Sequence, residues 1–368
     1  MQLQAQDLAR FRSMRPVLSG PSSVATAFLA LSIAVSFLGC GSGTLSGGAQ
    51  QGLQGLTTPV ASAKGPQLGY LWLTTDRSLR PILGFPGASQ IGQSVVPAGV
   101  YANAATSASA DLAILQATDG SFDLMNLPSG APVSLSLTLP VGATIRLSPS
   151  AQTALAYTPG ATSASLITGL PSTPSVRSIS AAAPISDSAI SDTGTVVFES
   201  SQGSSTTVSV TPLSGHASTL SSIGSSGGLA FLPGRDDLLL ADAGTNTLIL
   251  YRDASNAPST QVVPTTGLLN SPSSLGVSNS GRWAIIANRG SQTLVRVDLV
   301  ALTATSVSCS CTPTMTAALA DDGAFRVTDL ADAPNWLIDA TAATPRVLFI
   351  PSLPTATKTT TIASVVHP

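Results

Sequence analysis

Charge is what this chain has least of: Asp, Glu, Lys and Arg make up 9% of its 368 residues, against about a quarter in average soluble proteins. Glutamate occurs once, at Glu199, and lysine twice, at Lys64 and Lys358. Those residue types normally cover the exposed faces of helices, so a helical bundle is not expected. The 32 Gly and 26 Pro argue against long helices on separate grounds. Aromatic residues are also few, at 4%, which leaves Leu, Val, Ile and Ala to fill the interior. With 16 Lys plus Arg against 18 Asp plus Glu there is no basic footprint to neutralise phosphates, and nucleic acid is not an expected partner. An all-β extracytoplasmic protein fits this composition.

The longest apolar run lies near the N-terminus. Arg10, Arg12 and Arg15 precede Val24 to Leu38, fifteen residues broken only by small hydroxyl side chains. A bilayer span needs about 20 apolar residues, whereas a secretory hydrophobic region runs to about 15, so residues 1–39 read as a signal segment. The run ends in Phe37-Leu38-Gly39-Cys40, with Phe37 where the related sequences usually carry Leu. This resembles the lipobox of bacterial lipoproteins. The resemblance implies that Cys40 is the lipid attachment site and that the chain is held to a membrane through that anchor. The alternatives are an ordinary secretory signal or an uncleaved anchor. Gly41 after the cysteine resembles the sorting choice of lipoproteins sent to an outer membrane, which implies an extracytoplasmic position in the bacterial cell envelope. Removing residues 1–39 leaves 13 basic and 17 acidic residues, a net charge of −4. Residues 40–66, rich in Gly, Gln, Ser and Thr, read as a flexible tether.

The remainder, 67–368, is repetitive. Its clearest unit, Ser271 to Leu299, contains a short strand, a Ser-Asn-Ser-Gly turn, an apolar strand, a tight turn and an alternating strand. The same grammar recurs around Ala110, Ala151, Gly194, Gly234, Gly281 and Gly323, taken as the turn residues before the second strand of each unit, at spacings of 41, 43, 40, 47 and 42 residues. A four-stranded β-propeller blade takes about 40 to 45 residues. Two remnants, Gly69–Thr74 with Leu79–Leu83 and Thr359–Val366, make a seventh unit if the C-terminal segment supplies that blade's first strand. The expectation is therefore a seven-bladed β-propeller closed by its C-terminal strand, an arrangement that removes free sheet edges. Pro272, Val277, Ser278, Gly281, Ala287, Asn288, Val295, Val297 and Asp298 resemble the YVTN-type repeat of seven-bladed propeller proteins, and that likeness implies the same fold.

Few residues carry chemistry. Cys309 and Cys311 stand on one face of an extended segment, close enough for a local disulfide; a metal site would need further ligands. His216 falls in a turn and His367 is penultimate, so both read as exposed rather than catalytic. Trp72, Trp283 and Trp336 fit strand interiors and core packing. Asp236-Asp237 and Asp321-Asp322 precede second strands, where carboxylates accept backbone hydrogen bonds, with a calcium loop as the alternative. No phosphate-binding loop or dinucleotide fingerprint is present. No catalytic, cofactor-binding or metal-binding residue is assigned. The expected role is a non-catalytic binding or scaffold module for a protein, peptide or glycan partner. The alternative is a lyase or hydrolase with its site at the central channel.

Overall fold

The computed structural model describes residues 66–328 and 335–352, all within the unit Ser62–Pro368. Among the described residues there is no helix, and 27 strands form seven antiparallel sheets. These are blades 1 to 7, spanning 67–91, 101–138, 144–180, 187–223, 226–263, 272–308 and 317–350. The first strand of each blade lies innermost, against the first strands of its neighbours, and the chain steps outwards through the sheet before crossing to the next. The chain is thus a seven-bladed β-propeller, as the spacing predicts.

Packing explains why second strands read as unbroken apolar runs. Each is covered on both faces, and alternate residues belong to different blade interfaces. In blade 2, Leu112 and Ile114 face blade 3 while Ala113 and Leu115 face blade 1. In blade 6, Ala284 and Ile286 pack towards blade 5, and Ile285 and Ala287 towards blade 7. Among the described residues seven separate apolar clusters result, one between each pair of neighbouring blades. With so few aromatic residues, the sheets approach closely. Gly228 on the first strand of blade 5 shows this: a Cβ there would sit 2.7 Å from the Leu275 backbone nitrogen of blade 6.

The turn residues behave as their positions require. Ala110, Ala151, Gly194, Gly234 and Gly281 all have positive φ, between 55° and 88°. Gly323 does not, and its turn is instead closed by the Ala324 amide donating to the Asp321 carbonyl. In blades 2, 3, 4 and 6 the turn opens with a buried serine, Ser107, Ser148, Ser191 or Ser278, whose Oγ accepts from an amide at the start of the second strand. Lateral hydrogen bonds then tie turn to turn. Asp192 accepts from the Ser150 amide of blade 3 and the Gly234 amide of blade 5, both at 2.8 Å. Gln116, fully buried, donates to the Leu139 and Pro140 carbonyls and accepts from the Gly142 and Ala143 amides, pinning the connection from blade 2 to blade 3.

Blade 1 corrects one expectation. Gln67–Leu73 is its first, innermost strand, not its second, followed by Ser78–Phe85 and Ala88–Ile91. The reason is packing: Leu68 and Leu71 join the cluster with Leu319 and Leu337 of blade 7, and the Ala320 amide donates to the Leu68 carbonyl at 2.7 Å. The seam between the ends of the ring is closed by this contact. Blade 1 is three-stranded among the described residues, so the place open to a further strand is its outer edge beside Ala88–Ile91. The segment expected to close the ring, Thr359–Val366, lies outside the described residues, as do the signal segment, the tether and Cys40.

Candidate functional site in the central channel

The innermost strands surround an open channel because many of their side chains are small: Ala104, Ala105, Ala230, Ser273, Ser274 and Ala318 are among its walls. The space forms two compartments of about 550 and 350 Å³ that share Ala108, Arg146, Leu147 and Pro149. Charge enters the larger compartment as an ion pair. Arg146, on the first strand of blade 3 (Thr144–Leu147), reaches Asp187, the opening residue of the first strand of blade 4 (Asp187–Ile190). Nη2 donates to Oδ1 at 2.7 Å, and the two side chains keep 47% and 33% of their surface exposed. The Ser188 amide donates to the same carboxylate oxygen at 2.8 Å, so Asp187 is oriented by its own strand.

Behind this pair stands Glu199, directly opposite Asp187 in strand register. It is 1% exposed, and its Oε1 accepts from Ser226 Oγ of blade 5 at 2.7 Å. Burial pushes its pKa up to about 7; the Ser226 hydrogen bond and Arg146 oppose that rise, and the charge of Asp187 adds to it. Burial likewise raises Tyr157, which is nearly fully enclosed on the second strand of blade 3. The smaller compartment, between blades 1, 2, 3 and 7, is lined by Tyr70, Trp72, Arg146 and Arg326.

The residues singled out from the sequence fall mostly elsewhere. His216 is exposed in the turn between the third and fourth strands of blade 4, and His367 lies outside the described residues. Cys309 and Cys311 are joined in a disulfide with Cα atoms 4.9 Å apart. Asp236 accepts from Thr193 Oγ1 and Thr195 Oγ1 of blade 4, at 2.6 and 2.9 Å, and Asp322 accepts from the amide and Oγ of Ser280 in blade 6. Asp237 takes the Asp253 amide and lies 3.6 Å from Arg235 and Arg252, while Asp321 takes the Gly323 amide. These carboxylates serve turns and blade contacts, and no group of three His, Cys, Asp or Glu side chains among the described residues is placed to hold a metal.

Trp283 is buried between two guanidinium groups, Arg282 at 4.6 Å and Arg296 at 5.0 Å, and Trp336 packs near Phe349 with ring centres 6.0 Å apart. Trp72 departs from a pure core role, because it is half-buried and forms part of the channel wall. Sequence reading missed Arg146, Asp187 and Arg326 as channel residues, and Glu199 as the buried acid behind Asp187. The available signal was the single glutamate of the chain set in the apolar run Val196-Val197-Phe198.

No known protein family matches the chain, and no curated protein matches it in sequence. Solved structures do. A streptogramin B lyase structure superposes with a TM-score of 0.51 at 12% identity, over 78% of this chain and 88% of that one. A functionally unknown protein from Desulfotomaculum acetoxidans gives 0.50 at 12% identity, over 78% and 95%. The β-propeller domain of Cps50 (Swd1) from Myceliophteria thermophila gives 0.50 at 9% identity, over 70% and 89%. At these identities the likeness shows the shared fold and nothing of activity.

Proposed function

We propose that this protein is a non-catalytic binding module, a β-propeller held at the bacterial envelope by lipid on Cys40, that takes a peptide or glycan partner at its central channel. One observation carries the choice of binding over catalysis: the carboxyl group pushed into the neutral range, Glu199, is 1% exposed and behind Asp187, where a substrate does not touch it. General acid–base chemistry needs that group within hydrogen-bonding reach of the reacting atoms. What the channel does present is the partly exposed Arg146–Asp187 pair, suited to orienting a polar ligand.

Two experiments test the two halves of the reading. Metabolic labelling with a palmitate analogue should mark the wild type and not Cys40→Ala; equal labelling of both defeats the anchor. A peptide and glycan array should give ligands retained by the wild type, released unchanged in mass, and lost by Arg146→Met with Asp187→Asn. Recovery of a cleaved ligand, or retention unaffected by the double substitution, defeats the binding reading.

A further inference from the structure

At the larger compartment two carboxyl groups stand one behind the other. Asp187 lines the cavity, and Glu199 is its directly opposed residue on the second strand of blade 4. Like charges in that relation destabilise each other. Burial is the main reason that Glu199 keeps its proton; the charge of Asp187 adds to it, and Ser226 and Arg146 oppose it. With Glu199 neutral, Arg146 and Asp187 cancel. With Glu199 ionised, the three together carry one negative charge.

Two other ionisable groups are near. Burial keeps the Tyr157 phenol of blade 3 protonated, and Asp242, opposite Ser226 in blade 5, is turned to the Gly244 amide and Thr245 hydroxyl of its own hairpin. Apart from Asp187, the first and third strands of blade 4 and the first strand of blade 5 carry no charged residue.

Asp187 also has an oxygen to offer. Arg146 Nη2 and the Ser188 amide both donate to Oδ1, and among the described residues no hydrogen bond reaches Oδ2. A single oxygen suits an ammonium, a compact point charge, whereas a guanidinium fork matches two. The surrounding walls include Ala230, Leu275, Val277 and Met315, apolar surface along which the methylene stem of a lysine lies. A volume of about 550 Å³ admits such a side chain with its backbone.

Resting on the binding reading above, we propose that the channel takes a lysine side chain of a peptide at Asp187, and that Glu199 releases its proton as the ammonium arrives. The ammonium neutralises Asp187 and relieves the repulsion that helped to keep Glu199 protonated. The acid becomes a carboxylate, and its proton passes to the buffer. Linkage makes the effect reciprocal: a pH that ionises Glu199 strengthens lysine binding by the same factor. Glu199 acts through Asp187 and does not touch the ligand.

The test is calorimetric titration of the full chain with a capped Ala-Lys-Ala tripeptide and its arginine and norleucine counterparts, at pH 6, 7 and 8, in two buffers of different ionisation enthalpy. The lysine ammonium, with a pKa of about 10.4, stays charged throughout. Binding of the lysine peptide should be about fivefold tighter at pH 8 than at pH 6, the low end of such couplings because burial outweighs Asp187 in holding the proton. At pH 7 the heats should differ between buffers by a released fraction of a proton. The arginine and norleucine peptides should bind more weakly. Glu199→Gln should bind the lysine peptide equally at pH 6 and pH 8, with no buffer-dependent heat.

Equal wild-type affinity across this range, or a pH dependence and proton release that persist in Glu199→Gln, overturns the proposal. So does arginine or norleucine peptide binding as tight as that of lysine. If Glu199→Gln does not fold, the wild-type pH and proton measurements decide alone. No lysine peptide binding, alongside array ligands that depend on Arg146 and Asp187, overturns this inference and leaves the binding module standing.

Discussion

Glu199 makes stability depend on pH in a direction opposite to that of an ordinary paired carboxylate. Burial holds its pKa at about 7 in the folded chain, from the ordinary 4.5. Between those two values the folded protein keeps a proton that the unfolded chain has released. Stability therefore falls as pH rises: the contribution is complete below about 4.5 and is gone once pH passes about 7. A difference of roughly 2.5 pH units at 1.36 kcal/mol each amounts to ~3 kcal/mol, a large share of the 5–15 kcal/mol typical of folded domains.

Glu199→Gln keeps the shape of the protonated acid at every pH and retains an Oε1 that can accept from Ser226. Urea unfolding of both proteins from pH 5 to pH 8 is the assay. Near pH 5 the two midpoints should agree. By pH 8 the variant should be more stable by about 3 kcal/mol, because the wild type alone has lost its buried proton. The aspartates whose pKa is lowered, Asp76, Asp119, Asp236, Asp298 and Asp339, act in the other window: their hydrogen bonds and ion pairs, set against burial, stabilise above about 3.8 and are lost as pH falls below it. Their effect is common to both proteins and cancels in the difference. Parallel profiles for wild type and variant between pH 5 and pH 8 would refute the assignment of a buried neutral acid to Glu199.

Three further outcomes are expected. Gln116→Leu leaves two carbonyls and two amides of the blade 2 to blade 3 connection without the fully buried side chain that partners them, and should cost about 3 kcal/mol in chemical unfolding; a cost below 1 kcal/mol would mean that the connection is held by other contacts. Asp192→Ala removes two turn-to-turn bonds at an exposed position and should cost only about 1 kcal/mol, because water replaces the carboxylate; a loss as large as that of Gln116→Leu contradicts this ranking. Truncation after Ser352 tests the closing strand at its corrected place. The outer edge of blade 1 borders a groove of about 490 Å³ at Phe85, Ala88 and Gln90, and Phe85 and Phe349 are 62% and 59% exposed. If Thr359–Val366 pairs there, truncation lowers the melting temperature by several degrees, and an unchanged melting temperature rules that pairing out.

The ring was legible because a repeat is a physical period: every blade must bury the same faces, so the turn before each second strand returns at a nearly fixed interval. Blade 1 escaped that reading because its mark is Arg77, in positive φ at 51°, where neither Gly nor Ala draws attention. Starting the count at Ala110 hid the innermost strand and displaced the open edge to the wrong side of the sheet.

The channel was not legible for a different reason. Arg146 and Asp187 lie on four-residue strands in blades whose resemblance to the repeat is faint, and neither belongs to a motif. Yet they are 41 residues apart, one blade period. Ser274 and Thr316, whose hydroxyls meet across blades 6 and 7 at 3.0 Å, are 42 apart, as are Ser280 and Asp322. In a closed ring, equivalent positions of successive units face one another around the axis, so the period that fixes the fold also fixes which side chains meet. Polar residues recurring one period apart on first strands are therefore the sequence signature of a channel site, and here that rule selects Arg146 and Asp187 ahead of any histidine.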